Sequence, residues 1–332
     1  MGPEAVSPTA ILRAQQRIAP TILWTPQARS PSLSALAGVP VQVKWEQHQR
    51  TGSFKLRGAT NAVNALGADA LARGVVGVST GNHGRGLAYA ARAAGIRCVI
   101  CMSSLVPANK VAGIEALGAE VVIAGRSQDE AQAQVEALVR DEGLTMLPPF
   151  DHADIIAGQG TLALEMLADA PETEVLVVPV SGGGLIAGIA VMAKALTPDI
   201  RIIGVSMRRG AAMHASLQAG RPVTVEELPT LADSLGGGIG PDNRYTFPIV
   251  RDLVDEILLL DEAEIAEAIR HAYAVEQEVI EGAGAVGIGA LLAGKLALSG
   301  PTVLLCSGRN IAMDLHRRII NGETPDIGAD GS

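Results

Sequence analysis

An α/β fold with parallel sheets, divided into two lobes, is what the sequence predicts, on three observations. At 332 residues the chain is long enough to bury more than one core. Only 18% of its residues are charged and the mean hydropathy is +0.28, which suits strands covered by helices on both faces. From Gly74 onward short apolar runs alternate with segments of helical period, the pattern of parallel strands joined by right-handed crossovers.

The elements follow in order. An amphipathic helix is expected over about Thr9 to Ile18, then a proline-punctuated segment and a strand at Val41 to Trp45. Glu46 to Gln49 leads into Thr51-Gly52-Ser53-Phe54-Lys55-Leu56-Arg57-Gly58. There Ser53 is placed to cap a helix whose apolar positions Leu56, Ala59, Val63 and Leu66 recur at helical spacing. Strands are expected at Val75 to Ser79, Ile96 to Met102 and Glu120 to Ala124. The helices between them are Gly84 to Ala94, Pro107 to Leu117 and one opened by a capping box from Ser127 to Glu130. The turn at Pro148-Pro149 closes this block, so residues 74–149 read as a small lobe and 1–73 with 150–321 as a large one, with a loose tail at 322–332.

Beyond Phe150 the helices are Gly160 to Asp169, Leu185 to Leu196, Glu262 to Glu276, Gly282 to Leu298 and a last one from Asn310. Strands are expected at Val175 to Val180, Arg201 to Ser206 and Thr302 to Cys306, with a loop-rich section from Arg208 to Pro248.

Composition excludes several function classes. A net charge of −9 without a basic stripe argues against a nucleic-acid partner. The uncharged run Val175 to Ala193 is long enough to span a membrane, but Pro179 and Gly182 to Gly184 interrupt it. Met1 to Ala10 has neither the basic region nor the apolar core of a secretory signal. The three cysteines give no disulfide framework, and Cys98 and Cys101 fall on opposite sides of a strand. A cytoplasmic protein that meets neither membrane nor nucleic acid is expected.

Four stretches carry chemistry. Lys55 stands in the first turn of its helix, where the positive end of the backbone dipole favours a neutral, nucleophilic amine suited to a Schiff base. Ser181-Gly182-Gly183-Gly184-Leu185 follows an apolar strand and opens a helix, the arrangement of a phosphate cup. It also fits a dinucleotide fingerprint, but no carboxylate lies between Gly204 and Gly210, where that motif requires one. A ligand-free turn is the alternative for this motif alone.

Ser79-Thr80-Gly81-Asn82-His83-Gly84 has the donors to grip a carboxylate; His83 is either catalytic or bonded to backbone within a tight turn. Ser307, after the last strand, offers a hydroxyl that can bond a ring nitrogen without charging it.

A lysine, a phosphate cup, a carboxylate grip and a hydroxyl at element ends are what a pyridoxal phosphate enzyme needs. The chain resembles the fold type II pyridoxal phosphate enzymes of the serine/threonine dehydratase and serine racemase group, with the two-lobed fold of the tryptophan synthase β type, over about residues 8–320. The matching segments are Glu46 to Gly58, Ser79 to Gly84, Ala157 to Thr161, Ser181 to Leu185, Glu281 to Ala285 and Ser307 to Asn310. Within that group it is most similar to hydroxyectoine-utilisation dehydratases, on Gly204 to Met207, Gly210 to His214, Ala232 to Gly240 and Asn243 to Phe247.

The resemblance implies that Lys55 forms the Schiff base with pyridoxal 5'-phosphate and that Phe54 lies beside the ring. Asn82 bonds the phenolic oxygen, Ser181, Gly182, Gly183, Gly184 and Leu185 hold the phosphate, Ser307 meets the ring nitrogen and Glu281 borders the pocket. Ser79, Thr80, Gly81, Asn82 and His83 bind the substrate carboxylate. No metal is expected, because Ser206, Gly210 and Ala212 stand where metal-dependent racemases carry two carboxylates around a small residue. Thr80 replaces the racemases' second acid/base serine, which favours elimination over racemisation.

The implied reaction is loss of water from a 3-hydroxy amino acid, giving a keto acid and ammonia. The expected substrate is a hydroxylated diaminobutyrate derivative from hydroxyectoine, read by Asp242, Arg244 or Arg85, with threonine, serine and 3-hydroxyaspartate as alternatives. A homodimer is implied. A non-catalytic amino-acid sensor and a nicotinamide oxidoreductase are the competing classes.

Overall fold

The computed structural model describes residues 6–328 apart from Thr80, Leu105, Pro107 and Ser127. The expected helix start at Pro107 and the capping serine Ser127 therefore lie outside the described residues. No helix among the described residues is long and apolar enough to cross a membrane.

The strands are β1 (Gln27–Arg29), β2 (Val41–Trp45), β3 (Val75–Val78), β4 (Cys98–Met102), β5 (Glu120–Ile123), β6 (Thr145–Met146), β7 (Val175–Pro179), β8 (Arg201–Met207), β9 (Glu256–Leu260) and β10 (Thr302–Cys306). They form a six-stranded sheet in the order β1-β2-β10-β7-β8-β9 and a four-stranded sheet in the order β5-β4-β3-β6. Among these strands of the described residues, β1 pairs antiparallel with β2 and the other pairs are parallel.

The helices are α1 (Pro8–Ile18), α2 (Pro31–Ala37), α3 (Lys55–Asn64), α4 (Ala68–Arg73), α5 (Asn82–Ala94), α6 (Ala108–Glu115), α7 (Gln128–Glu142), α8 (Ala153–Asp169), α9 (Gly184–Leu196), α10 (Ala212–Ala219), α11 (Thr246–Leu253), α12 (Glu262–Ala274), α13 (Gly282–Leu292) and α14 (Met313–Ile320).

Strand residues alternate between two cores because successive side chains leave a strand on opposite faces. On β7, Leu176 and Val178 pack with α1, α8 and α9, while Val175 and Val177 pack with α12 and α13. On β4, Cys98 and Ile100 join α3 and α5, while Val99 and Cys101 join α7, so the two cysteines do face opposite ways.

The sequence understated the helices. α8 begins at Ala153 rather than Gly160. Its Gly158 and Gly160 do not break it; they admit neighbours, since a side chain on Gly158 would lie 2.6 Å from the Arg57 carbonyl and one on Gly160 2.7 Å from the Gly188 carbonyl. The section read as loop from Arg208 to Pro248 holds α10 and the start of α11. α13 stops at Leu292, with Gly294 left-handed at φ +67°, and α14 starts at Met313 rather than Asn310.

Candidate active site

Lys55 is the first residue of α3, but the expected cap is not formed. Phe54 takes the N-cap position without a side-chain bond, and Ser53 is drawn into an antiparallel bridge with Gly308. The Ser53 hydroxyl is consequently buried with no partner, as is that of Thr51. Lys55 Nζ donates to the Pro149 carbonyl (2.7 Å) and lies 5.4 Å from the centre of the Phe54 ring. Burial lowers its pKa from 10.5 to about 8. Lys44, Lys110, Lys194 and Lys295 each stand within 4 Å of a carboxylate. Among the described residues Lys55 has a carbonyl instead.

The residue after Pro149 carries the site to the triple-glycine turn. Phe150 packs against Gly182 and Gly184, where any side chain would strike it. Gly183 caps α9 in the left-handed region at φ +88°, and a Cβ there would lie 2.7 Å from Met213 Cε. The first N–H groups of α9 thus begin where only glycine backbone stands, with half-buried Ser181 before them and buried Leu185 behind.

A second link runs from Phe54, whose N–H bonds the Ser307 carbonyl (3.1 Å). Ser307 is 3% exposed at the end of β10, and Gly308 beyond it lies against Glu281. Glu281 joins a closed ring of hydrogen bonds: Asn82 Nδ2 donates to Glu281 Oε1 (2.6 Å), Asn310 N–H to Glu281 Oε2 (3.1 Å), and Asn310 Nδ2 to Asn82 Oδ1 (2.5 Å). Burial, reinforced by the nearby negative charge of Asp233, raises the Glu281 pKa to about 8. The sequence offers Asn310 as a helix start and as the end of a matching segment; its place in this ring depends on Glu281, 29 positions away, and on Asn82, 228 positions away.

Of the stretch expected to grip a carboxylate, Ser79 and Gly81 to Gly84 are described. Ser79 Oγ accepts from the N–H groups of Gly81 (3.3 Å) and Gly84 (3.0 Å). Thr80 lies outside the described residues. His83 takes the backbone-bonded option, its Nε2 donating to the Leu147 carbonyl (2.9 Å). Burial first, and Lys55 second, depress its pKa to about 3, so it is neutral. Of the expected side-chain readers, Arg85 lies against Gly113, and the Arg244 N–H is one of three, with Tyr245 and Thr246, held by Asp151.

Lys55, Asn82, Gly182 to Gly184, Glu281 and Ser307 are therefore brought together by the ends of α3, α5, α9, α13 and β10. The sequence profile of pyridoxal-phosphate dependent enzymes matches residues 18–308. The chain belongs to that family.

Its similarity to other proteins runs almost end to end. A Sinorhizobium fredii (strain NBRC 101917 / NGR234) protein provisionally named threonine dehydratase is 57% identical over 314 residues, covering 94% of this chain and 95% of that one. An L-threonine ammonia-lyase of Thermotoga maritima is 40% identical over 312 residues, covering 94% and 77%. The structure of maize serine racemase superposes with a TM-score of 0.90 at 33% identity, over 96% of this chain and 97% of that one. By these relationships this pyridoxal-phosphate dependent enzyme is a lyase of fold type II.

The residues present fit the cofactor. A buried amine of lowered pKa without a carboxylate partner, glycines that leave α9's first N–H groups bare, and orphaned hydroxyls on Ser53 and Thr51 are the features an aldehyde-bearing phosphate ester requires.

Proposed function

We propose that this enzyme removes water from a 3-hydroxy amino acid and releases the keto acid and ammonia. The observation that carries the reading is Lys55, whose amine is buried, lowered to about 8 and bonded to a carbonyl where the four other lysines have carboxylates. The names of the Sinorhizobium and Thermotoga relatives support the same chemistry.

In this reading Lys55 holds the cofactor, Ser181 to Leu185 its phosphate, Asn82 its phenolic oxygen and Ser307 its ring nitrogen, with Phe54 and Glu281 beside the ring. The bound cofactor supplies an electron sink at the substrate Cα. Lys55 Nζ, freed when substrate binds, takes the Cα proton; a pKa of about 8 lets it accept and return a proton near neutrality. Asn82, fixed at both ends of its amide by Glu281 and Asn310, keeps one orientation. The Ser79 to His83 turn orients the substrate carboxylate, with neutral His83 adding no charge to the wall. In the sequence Thr80 stands where racemases of this group carry their second acid/base serine, and the bulkier, stiffer side chain favours elimination.

For the substrate we take the hydroxylated diaminobutyrate derivative, on the likeness of Ala232 to Gly240 and Asn243 to Phe247 to hydroxyectoine-utilisation dehydratases, with threonine, serine and 3-hydroxyaspartate as rivals. Residues 74–149 act as the small lobe against 1–73 and 150–321, and the unit is a cytoplasmic homodimer. Keto-acid release measured across that substrate panel is the test. Absence of turnover on all four, in protein that carries cofactor on Lys55, sinks the reading.

A further inference from the structure

Two residues beyond Lys55, an arginine is buried with no part in the reading above. Arg57 is 1% exposed, yet all five of its N–H groups find acceptors. Nε and Nη2 grip the two oxygens of Glu46 (2.7 and 2.9 Å), and Nη1 meets Glu165 Oε1 (2.6 Å) and Thr161 Oγ1 (3.2 Å). Nη2 also reaches the Leu23 carbonyl (3.3 Å). Glu165 contacts Lys44 Nζ at 2.8 Å, without hydrogen-bond geometry, and Thr25 joins Lys44 to Glu46 through its carbonyl (2.7 Å) and its hydroxyl (2.7 Å). Lys44, Glu46, Arg57 and Glu165 are all buried, two cations balancing two anions; half-exposed Asp169 reaches Lys44 at the edge (3.4 Å).

Such a cluster is a poor device for stability alone. Withdrawing each ion from water costs several kcal/mol, and apolar groups of similar volume often serve as well. What a guanidinium held by two carboxylates does specify is position, because its planar fork accepts them in one arrangement. Lys55 and Arg57 are two residues apart on α3, about 200° around the helix, so the fork sits on the side away from the amine. From the residue after Arg57 on, α3 is fastened to α8 through Gly58 and Asn61. In the first turn Arg57 ties α3 both to α8 and to the residues following β2.

We propose that Arg57 is a positioning residue: its bonds to Glu46 and Glu165 set the rotation of α3 about its axis and hence where the Lys55 amine stands. A rotation of about 10° moves a group at roughly 5–6 Å radius by about 1 Å. A misplacement of that size can cost on the order of 100-fold in rate. The proposal rests on Lys55 being the cofactor-bearing lysine.

The test compares wild-type holoenzyme with Arg57→Lys, whose compact ammonium cannot reproduce the fork, and with Glu165→Gln, which keeps shape and the Glu46 bonds. Three readings are taken at a temperature where melting shows each protein folded: the lysine fixed by borohydride, the pH midpoint of the visible cofactor band, and kcat against KM. The expected result is label on Lys55 in every protein, a midpoint moved by half a pH unit or more, and kcat lowered at least tenfold with KM within twofold. If Arg57→Lys does not fold, Glu165→Gln is expected to show the same signs in smaller degree. Wild-type midpoint and kcat in the folded variants overturn the positioning role and leave Lys55's role standing. Wild-type label on another lysine removes the Lys55 reading itself, and this proposal with it.

Discussion

Glu281 gives the sharpest prediction because its proton is bound across a wide span of pH. Folded, it sits in the ring with Asn82 and Asn310 with a pKa near 8, against an ordinary 4.5. Between those values the folded protein holds a proton that the unfolded chain releases. The stabilisation is fully present below 4.5 and is lost as pH rises through about 8. The gap from 4.5 to about 8, at about 1.4 kcal/mol per pH unit, amounts to roughly 5 kcal/mol.

Glu281→Gln removes the titration, and it forfeits the bond from Asn310 N–H at a pH-independent cost of about 1 kcal/mol. His83, held at about 3, works in the opposite direction below 6.5, so the clean window is pH 6.5 to 8. Urea unfolding of cofactor-free protein across that window is expected to show wild type losing on the order of 2 kcal/mol relative to Glu281→Gln, a share set by 1.5 pH units. Parallel stability curves for the two proteins would refute the reasoning.

Other expectations concern the cofactor. Lys55→Ala is expected to abolish both the visible band and keto-acid release, read by absorbance and a coupled ammonia assay. Because the free Lys55 amine loses its proton near pH 8, attachment of pyridoxal phosphate to stripped enzyme should accelerate about tenfold per pH unit between 6 and 7 and level off above 8, followed by stopped-flow absorbance. Gly183→Ala forces a Cβ into a left-handed residue and toward Met213 and Thr246. A loss of roughly 1–2 kcal/mol from backbone strain alone is expected by chemical denaturation, with weaker retention of cofactor on dialysis.

The buried parallel strands were legible because their apolar, β-branched runs have no other use, and β2, β4, β7 and β10 lie where those runs lie. Glycine carries two different meanings here. In Ser181 to Leu185 it marks a turn, whereas Gly158 and Gly160 mark close helix contact inside α8, whose first seven residues the expected start at Gly160 leaves out. α11 was hidden by Pro248, which a helix accepts in its first turn. Ser53 carried a plausible capping signal, but pairing with Gly308, 255 positions along the chain, overrode it. The ionic cluster around Arg57 left no trace in local sequence, since Glu165 stands 108 positions away.

The placement of β10 between β2 and β7 bears on how the molecule is made. The last strand synthesised is an inner one of the large sheet, so β2 waits for its parallel neighbour while more than 250 further residues are translated, roughly ten to fifty seconds at ordinary ribosome speeds. The four-stranded sheet, drawn wholly from residues 75–146, has no such wait and can assemble first. A nascent chain stalled before Thr302 would therefore expose two unpaired strand edges beside an already folded neighbour, the form in which this enzyme is most exposed to aggregation and most dependent on chaperones.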